Sequence, residues 1–188
     1  MTILVIDNLS PFTPDILNCL NNLGAMYICK RFSEISDSNE NIEKNHYDKA
    51  ILSGRPRNCK EINITNSKIV RHYFENDTPI LGICYGAEII ALTLGGSISR
   101  MNCNVQGTIF VTVSKPNKLI NDRKLVSVYE SHRYCVSRLP DGFGSLASSQ
   151  HCENEIFSHR KKKIFGVQFH PEKSGEDGIV LLSNFIKL

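Results

Sequence analysis

The chain has 188 residues, 41% hydrophobic and 22% charged, and its 22 lysines and arginines against 19 aspartates and glutamates leave a net charge of +3. That length predicts one domain over residues 1–188, with a core large enough to need no disulfide or metal staple. The composition excludes a disordered or collagenous chain, and so mild a charge points to neither nucleic acid nor a membrane surface as partner.

Taken in chain order, Ile3–Ile6 is an unbroken apolar run, the pattern of a parallel strand buried on both faces. Ile16, Leu17, Leu20 and Leu23 then recur at helical spacing within Pro14 to Leu23, closed by Gly24. Met26–Cys29 reads as a second strand and Ala50–Leu52 as a third, ending at Ser53-Gly54. Ile69, Val70, Tyr73 and Phe74 predict a helix, Ile80–Ile83 a fourth buried strand, and Ala87 to Leu94 a helix stopped by Gly95-Gly96. Thr78 to Ile98 carries a single charge, Glu88, yet glycines and Pro79 cut it into pieces too short to span a bilayer.

Beyond this point strands dominate: Ile109–Val113, Leu125–Val128, Gly144–Ala147, Glu155–Phe157 and Ile164–Phe169, before a closing helix over Gly178 to Ile186. Strand–helix alternation followed by a run of strands predicts an α/β fold with a parallel core and an antiparallel extension. Arg160-Lys161-Lys162-Lys163 reads as a solvated hairpin turn. Seven cysteines, an odd number with no CxxC pair and no apolar leader before them, predict free thiols in a reducing cytoplasm.

Cys84 is the sharpest chemical feature. An apolar strand runs into it, and Gly82 and Gly86 flank it at two residues on either side. A nucleophile on a tight strand-to-helix turn needs such small neighbours, and the helix N-terminus favours thiolate over thiol. The same pattern also fits a buried structural cysteine. In Phe169-His170-Pro171-Glu172, an extended path would put imidazole and carboxylate on one side, where the carboxylate orients the ring. His72, His132 and His159 lack an acidic partner two residues on. The turn Leu52-Ser53-Gly54-Arg55-Pro56 could aim a backbone N–H at a developing oxyanion, with Tyr85 supplying the second.

Gly82-Ile83-Cys84-Tyr85-Gly86-Ala87-Glu88, Gln168-Phe169-His170-Pro171-Glu172 and Leu52-Ser53-Gly54-Arg55-Pro56 together resemble the class I, triad-type glutamine amidotransferases. The resemblance runs from Ile3 to Phe185 and implies a flavodoxin-like, mostly parallel central sheet flanked by helices. It implies that Cys84 attacks the side-chain amide of L-glutamine, that His170 shuttles the proton and that Glu172 orients His170. It places the oxyanion hole at the backbone N–H groups of Arg55 and Tyr85. Substrate contacts fall at Gly54, Glu88, Gln106, Gly107, His132 and Arg133.

Two positions depart from the family pattern. Arg55 stands where glycine is usual, and Glu88 where glutamine is usual. Either the two pair across the pocket as opposite charges, or each points elsewhere. A carboxylate one turn after Cys84 should disfavour the thiolate.

Glu130-Ser131-His132, Leu139 to Phe143, Ala147-Ser148-Ser149 and Cys152 resemble the glutaminase subunit of GMP synthase, although Arg133-Tyr134 replaces its usual Gly-Asp. Other stretches resemble the glutaminases of anthranilate or aminodeoxychorismate synthase (Ile6 to Thr13) and of imidazole glycerol phosphate synthase (Phe169 to Gly175). Neither a Walker phosphate loop nor a Ser-Gly-Gly-x-Asp-Ser motif is present. ATP and magnesium are therefore expected only on a separate synthetase subunit, by this resemblance the ATP-pyrophosphatase subunit of GMP synthase, with no cofactor and no metal in this chain. A stand-alone γ-glutamyl hydrolase and a non-catalytic glutamine-sensing module are the readings of other classes.

Overall fold

A computed structural model of the protein describes residues 1–37 and 47–188; His46 lies outside them. The elements are β1 (Thr2–Asp7), α1 (Thr13–Asn22), β2 (Met26–Arg31), α2 (Phe32–Asp37), β3 (Lys49–Leu52), α3 (Lys60–Glu75), β4 (Ile80–Ile83) and α4 (Tyr85–Thr93). Then come β5 (Ser97–Val113), β6 (Leu125–Arg138), β7 (Phe143–Ser148), β8 (Ile156–His159), β9 (Ile164–Val167), a 3-10 turn at Pro171–Lys173 and α5 (Gly175–Lys187).

The nine strands among the described residues form one sheet in the order β2-β1-β3-β4-β9-β8-β7-β5-β6. Neighbours from β2 to β9 are parallel, and those from β9 through β6 are antiparallel. β9 belongs to both halves, which is how the last strand in sequence comes to lie beside β4. The strands β3, β4 and β9 are buried at every residue, because helices cover both sides. Ile16 and Leu20 of α1 join Leu181, Leu182 and Phe185 of α5 against one face. Ile62, Ile69, Val70 and Tyr73 of α3 join Ile90 and Ala91 of α4 against the other.

Four elements exceed the sequence expectation. α2 carries no clear apolar periodicity to announce it. α3 starts at Lys60, well before its apolar stripe, because its polar first half buries Thr65 and Asn66, and the Asn66 side chain bonds to Asn8 on the loop after β1. β5 and β6 form a hairpin of 17 and 14 residues, far longer than its apolar runs. Arg160–Lys163 does turn between the antiparallel strands β8 and β9. Lys162 there donates to the carbonyl of Phe74 at 2.8 Å and pairs with Asp77. No helix among the described residues is long and apolar enough to cross a membrane.

Candidate active site

Three chain segments leave neighbouring parallel strands at their C-terminal ends, the edge where open α/β sheets bind ligands. Ser53-Gly54 follows β3, Cys84 follows β4, and Gln168 to His170 follow β9. Pairing of Ile83 with Val167 sets the last two side by side, and the Cys84 N–H donates to the Val167 carbonyl at 2.8 Å.

Cys84 has φ +52° and ψ −108°, a left-handed conformation that costs a residue with a side chain of order 1–3 kcal/mol. The glycines around it make that turn possible. A Cβ on Gly82 would sit 2.3 Å from the backbone of Gly86, and one on Gly86 would sit 2.3 Å from the Leu52 carbonyl oxygen. Strand β4, the start of α4 and the end of β3 therefore touch backbone to backbone around the thiol. Gly54 opens the remaining side: a Cβ there would lie 3.2 Å from His170 Cε1 and 3.8 Å from Cys84 Cβ. Both side chains thus approach the same small volume.

His170 is held from several directions. Its N–H donates to the Tyr129 carbonyl at 2.8 Å, and its carbonyl accepts from Ser174 Oγ at 2.6 Å. The Phe12 ring meets the imidazole edge-on at 4.7 Å between centroids. Nδ1 lies 2.8 Å from Glu172 Oε1, both groups buried, which leaves Nε2 for a reacting partner. The expected meeting of these two residues occurs, but not along an extended path. The strand ends at Val167, and Glu172 sits in the 3-10 turn that starts at Pro171. It is that turn which swings the carboxylate back under the ring.

A cleft of about 360 Å³ is lined by Cys84, Tyr85, Glu88, Arg55, His132 and Arg133, with Pro56, Arg57, Asn58, Asn104, Ser131 and Tyr134 completing its walls. Tyr85 is the first residue of α4, so its N–H is one of the helix's unpaired donors. Gln106 and Gly107 lie outside this wall, paired across the hairpin with Ser131 and Glu130, and Asn104 takes the place facing the cleft.

The pairing of Arg55 with Glu88 is not what the side chains do. The Arg55 guanidinium stacks 3.8 Å above the Tyr85 ring, and its Nη1 bonds to Asn63 Oδ1 at 2.5 Å. Tyr85 Oη bonds to the same oxygen at 3.0 Å. Among the described residues no ion pair joins Arg55 to Glu88; the guanidinium acts on that carboxylate only through its field.

Glu88 is one of several buried acids behind the thiol. Burial raises its pKa, opposed by Arg55, by His132 and by the nearby Gln168 amide. Burial also pushes the Cys84 thiol well above its ordinary pKa, and Glu88, Glu130 and Glu172 push the same way. The helix N-terminus does not reverse that sum: the Tyr85 N–H lowers it only in part. The disfavoured thiolate expected from Glu88 therefore stands, while the expected activation by the helix is outweighed.

Two further acids belong to the site without standing out in the sequence. Glu130 and Glu155 are fully buried, and with His132 they place a ligand-type atom each within 4.8 Å of one another. His132 Nε2 lies 2.7 Å from Glu130 Oε2. Burial lowers the pKa of His132, but Glu130, the Tyr134 carbonyl and Glu88 together outweigh it and the net shift is upward. Burial, then Glu130, drives Glu155 up to about 9. The available signal was Glu130-Ser131-His132: its acid precedes the histidine by two residues on a strand, the mirror of the spacing at His170 and Glu172.

A model of the class-I glutamine amidotransferase family matches residues 4–188. One subunit of the glutamine-hydrolysing GMP synthase of Methanocaldococcus jannaschii is 34% identical over 194 residues, covering 99% of this chain and 96% of that one. The corresponding subunit of Methanococcus maripaludis is 38% identical over 73% of this chain and 71% of its own length. A probable GMP synthase of Leptospira interrogans is 34% identical over 99% of this chain, which spans only 30% of that protein. Among solved structures, a GMP synthase subunit from Thermoplasma acidophilum, described as putative, superposes with a TM-score of 0.87 at 29% identity, covering all of this chain and 92% of that one. A glutamine amidotransferase from Thermotoga maritima shares the fold, with a TM-score of 0.74 over 92% of this chain and 76% of that one at 21% identity.

Proposed function

Since the chain belongs to the class-I glutamine amidotransferase family, we propose that it is the glutaminase subunit of a two-subunit GMP synthase. In this reading Cys84 Sγ, as thiolate, attacks the side-chain carbonyl carbon of L-glutamine. His170 takes the thiol proton at Nε2 and passes it to the departing amide nitrogen, which leaves as ammonia. Glu172 holds the ring through Nδ1 and stabilises the imidazolium. The N–H groups of Tyr85 and Arg55 face the oxyanion. Water, activated by the same imidazole, then cleaves the γ-glutamyl thioester and frees glutamate.

The observation that carries this reading is the shared approach of His170 Cε1 and Cys84 Cβ to the space over Gly54, with Glu172 at 2.8 Å from the far side of the imidazole. Ammonia would pass to a separate ATP-pyrophosphatase subunit that aminates XMP and carries the ATP and magnesium. The match of almost the whole chain to a single archaeal GMP synthase subunit, nearly end to end, supports a partner on another polypeptide. Seven unpaired cysteines support a reducing, cytoplasmic setting. The raised pKa of Cys84 supports low activity in the isolated chain until the partner docks over this edge of the sheet.

The test is reconstitution. The purified chain is mixed with an ATP-pyrophosphatase subunit, XMP, ATP, magnesium and glutamine, and GMP is measured, with a chorismate-aminating partner assayed in parallel. GMP formation that depends on this chain and stops on labelling Cys84 with a glutamine-like electrophile is the expected result. Amination of chorismate alone, or full glutaminase turnover without any partner, would overturn the assignment.

A further inference from the structure

The turn after β3 is tied down by a chain of buried polar groups that glutamine hydrolysis does not itself touch. Asn8 follows β1, Ser53 follows β3 and Asn66 lies in the polar first half of α3, and all three are fully buried. Asn8 and Asn66 face each other as a reciprocal amide pair. Asn66 Nδ2 donates to Asn8 Oδ1 at 2.7 Å, and Asn8 Nδ2 donates to Asn66 Oδ1 at 3.2 Å. The second proton of each amide is used as well: Asn66 donates to the Ile62 carbonyl at 2.8 Å and Asn8 to the Ser53 carbonyl at 3.1 Å. A flip of either amide would set oxygen against oxygen, so one arrangement alone satisfies the pair.

Ser53 is where this chain reaches the site. Its N–H donates to the Ile6 carbonyl at 3.1 Å, and its Oγ accepts the Asn8 N–H at 2.9 Å. The same Oγ donates its proton to the Gly54 carbonyl at 3.0 Å. In the sheet β3 lies between β1 and β4, and the bonds from Ile6 and Asn8 hold Ser53 from the β1 side. The Gly54–Arg55 peptide is trans, so its N–H points away from its carbonyl. Holding that carbonyl toward Ser53 therefore turns the Arg55 N–H toward the end of β4, where Cys84 stands.

We propose that the Ser53 hydroxyl, backed by the Asn8–Asn66 pair, is the latch that keeps the oxyanion hole formed. Ser53 is a positioning residue, acting through the Gly54–Arg55 peptide. A peptide free to rotate can present its carbonyl to the oxyanion, and repulsion then replaces attraction. The inference rests on the glutaminase reading, whose tetrahedral intermediate is what the N–H serves. Two reactions of the same thiol separate a latch from a mere scaffold. Acyl transfer from glutamine puts negative charge on the carbonyl oxygen. Alkylation by iodoacetamide displaces iodide from a methylene carbon and creates no oxyanion. Loss of the latch slows the first and spares the second, whereas a loosened scaffold alters both.

The experiment uses the intact chain reconstituted with its synthetase subunit. Ser53→Ala should lower kcat for glutamine by about 10- to 100-fold with KM little changed, a smaller loss than removing an oxyanion donor outright. Its Cys84 alkylation rate at the same pH should match the wild type, because the thiolate fraction is untouched. Ser53→Thr retains the hydroxyl and should recover most of kcat. Wild-type kcat in Ser53→Ala would overturn the latch, and so would a parallel fall in alkylation. Should Ser53→Ala fail to fold, Asn8→Ala, which frees the Ser53 carbonyl, is read by the same pair of rates. In the wild-type chain the Asn8 N–H should exchange with solvent as slowly as the amides of the buried strands, and rapid exchange would overturn the latch without any variant. A wild-type complex that releases no ammonia from glutamine sinks the glutaminase reading and the latch with it; turnover in the wild type beside an unaffected Ser53→Ala removes the latch alone.

Discussion

On the parallel side of the cleft, each reactive group is delivered by the end of a short strand buried on both faces; on the hairpin side, β5 and β6 deliver polar groups from mid-strand. The first arrangement is rigid for a steric reason. Gly82, Gly86 and Leu52 meet backbone to backbone, so Cys84 has almost no room to move. The second is a long ribbon with a register shift between Arg100 and Val105 and exposed residues along much of β5. Its one inward-facing acid, Glu130, is fully buried against His132. The rigid side thus suits chemistry that needs fixed distances, and the hairpin side suits charge tuning.

Breaking the rigid side should cost most. Glu172→Gln keeps the shape but presents an amide to Nδ1, favouring the wrong tautomer. Glutamine hydrolysis in the reconstituted complex should fall by about 10³- to 10⁴-fold in kcat, with KM little changed. A loss confined to KM would remove Glu172 from the triad.

Next comes a contrast between glycines. Gly86→Ala pushes a Cβ against the Leu52 carbonyl at 2.3 Å, whereas Gly144→Ala in β7 meets nothing within 4 Å. The first should destabilise by about 1–3 kcal/mol, a drop in melting temperature of about 2–12 °C. The second should be neutral or slightly stabilising. Equal thermal shifts in the two variants would show that the close backbone approach is not what holds the Cys84 turn.

Gly82 and Gly86 were readable because a sharp strand-to-helix turn demands them whatever surrounds it. So were β1, β3, β4 and β9, whose apolar runs are long enough to be recognised without neighbours. Joining of Cys84 to His170 followed from motif resemblance and was completed by topology, since β9 inserts beside β4. What could not be read was set by tertiary context. The 3-10 turn at Pro171 depends on packing with α5, where a Cβ on Gly178 would lie 1.8 Å from the Pro171 carbonyl oxygen. The burial of Glu130 and Glu155 depends on how a long ribbon folds over the sheet, and charged residues on strands usually read as solvent-facing. The polar first half of α3 was invisible to a search for apolar periodicity.

The hairpin side tunes charge, and Glu88→Gln probes that tuning from the opposite wall. Cys84 carries a raised pKa, so at neutral pH it is mostly thiol and its alkylation rate climbs as pH rises. Removing the Glu88 charge takes away one of the upward pushes. The pH–rate curve should move to lower pH, and alkylation at neutral pH should rise about three- to tenfold, since one pKa unit is a tenfold change in thiolate. An unmoved curve would mean that burial and the other acids, Glu130 and Glu172, set the thiol without Glu88.

The smallest effect expected is an absence of coupling. Arg55 is stacked on Tyr85 and bonded to Asn63, two residues that do not involve Glu88. Arg55→Gly should weaken the cleft wall by removing that stack, and Glu88→Gln should act on the thiol by removing a charge. These are separate losses, so in the double variant the changes in transition-state free energy should add to within about 0.5 kcal/mol. Arg55 does lower the Glu88 pKa from a distance, but a field across a solvent-filled cleft is screened and worth less than a contact pair. A coupling of about 2 kcal/mol would require the two side chains to meet once substrate or partner arrives, and would turn their joint departure from the family pattern into a compensating exchange.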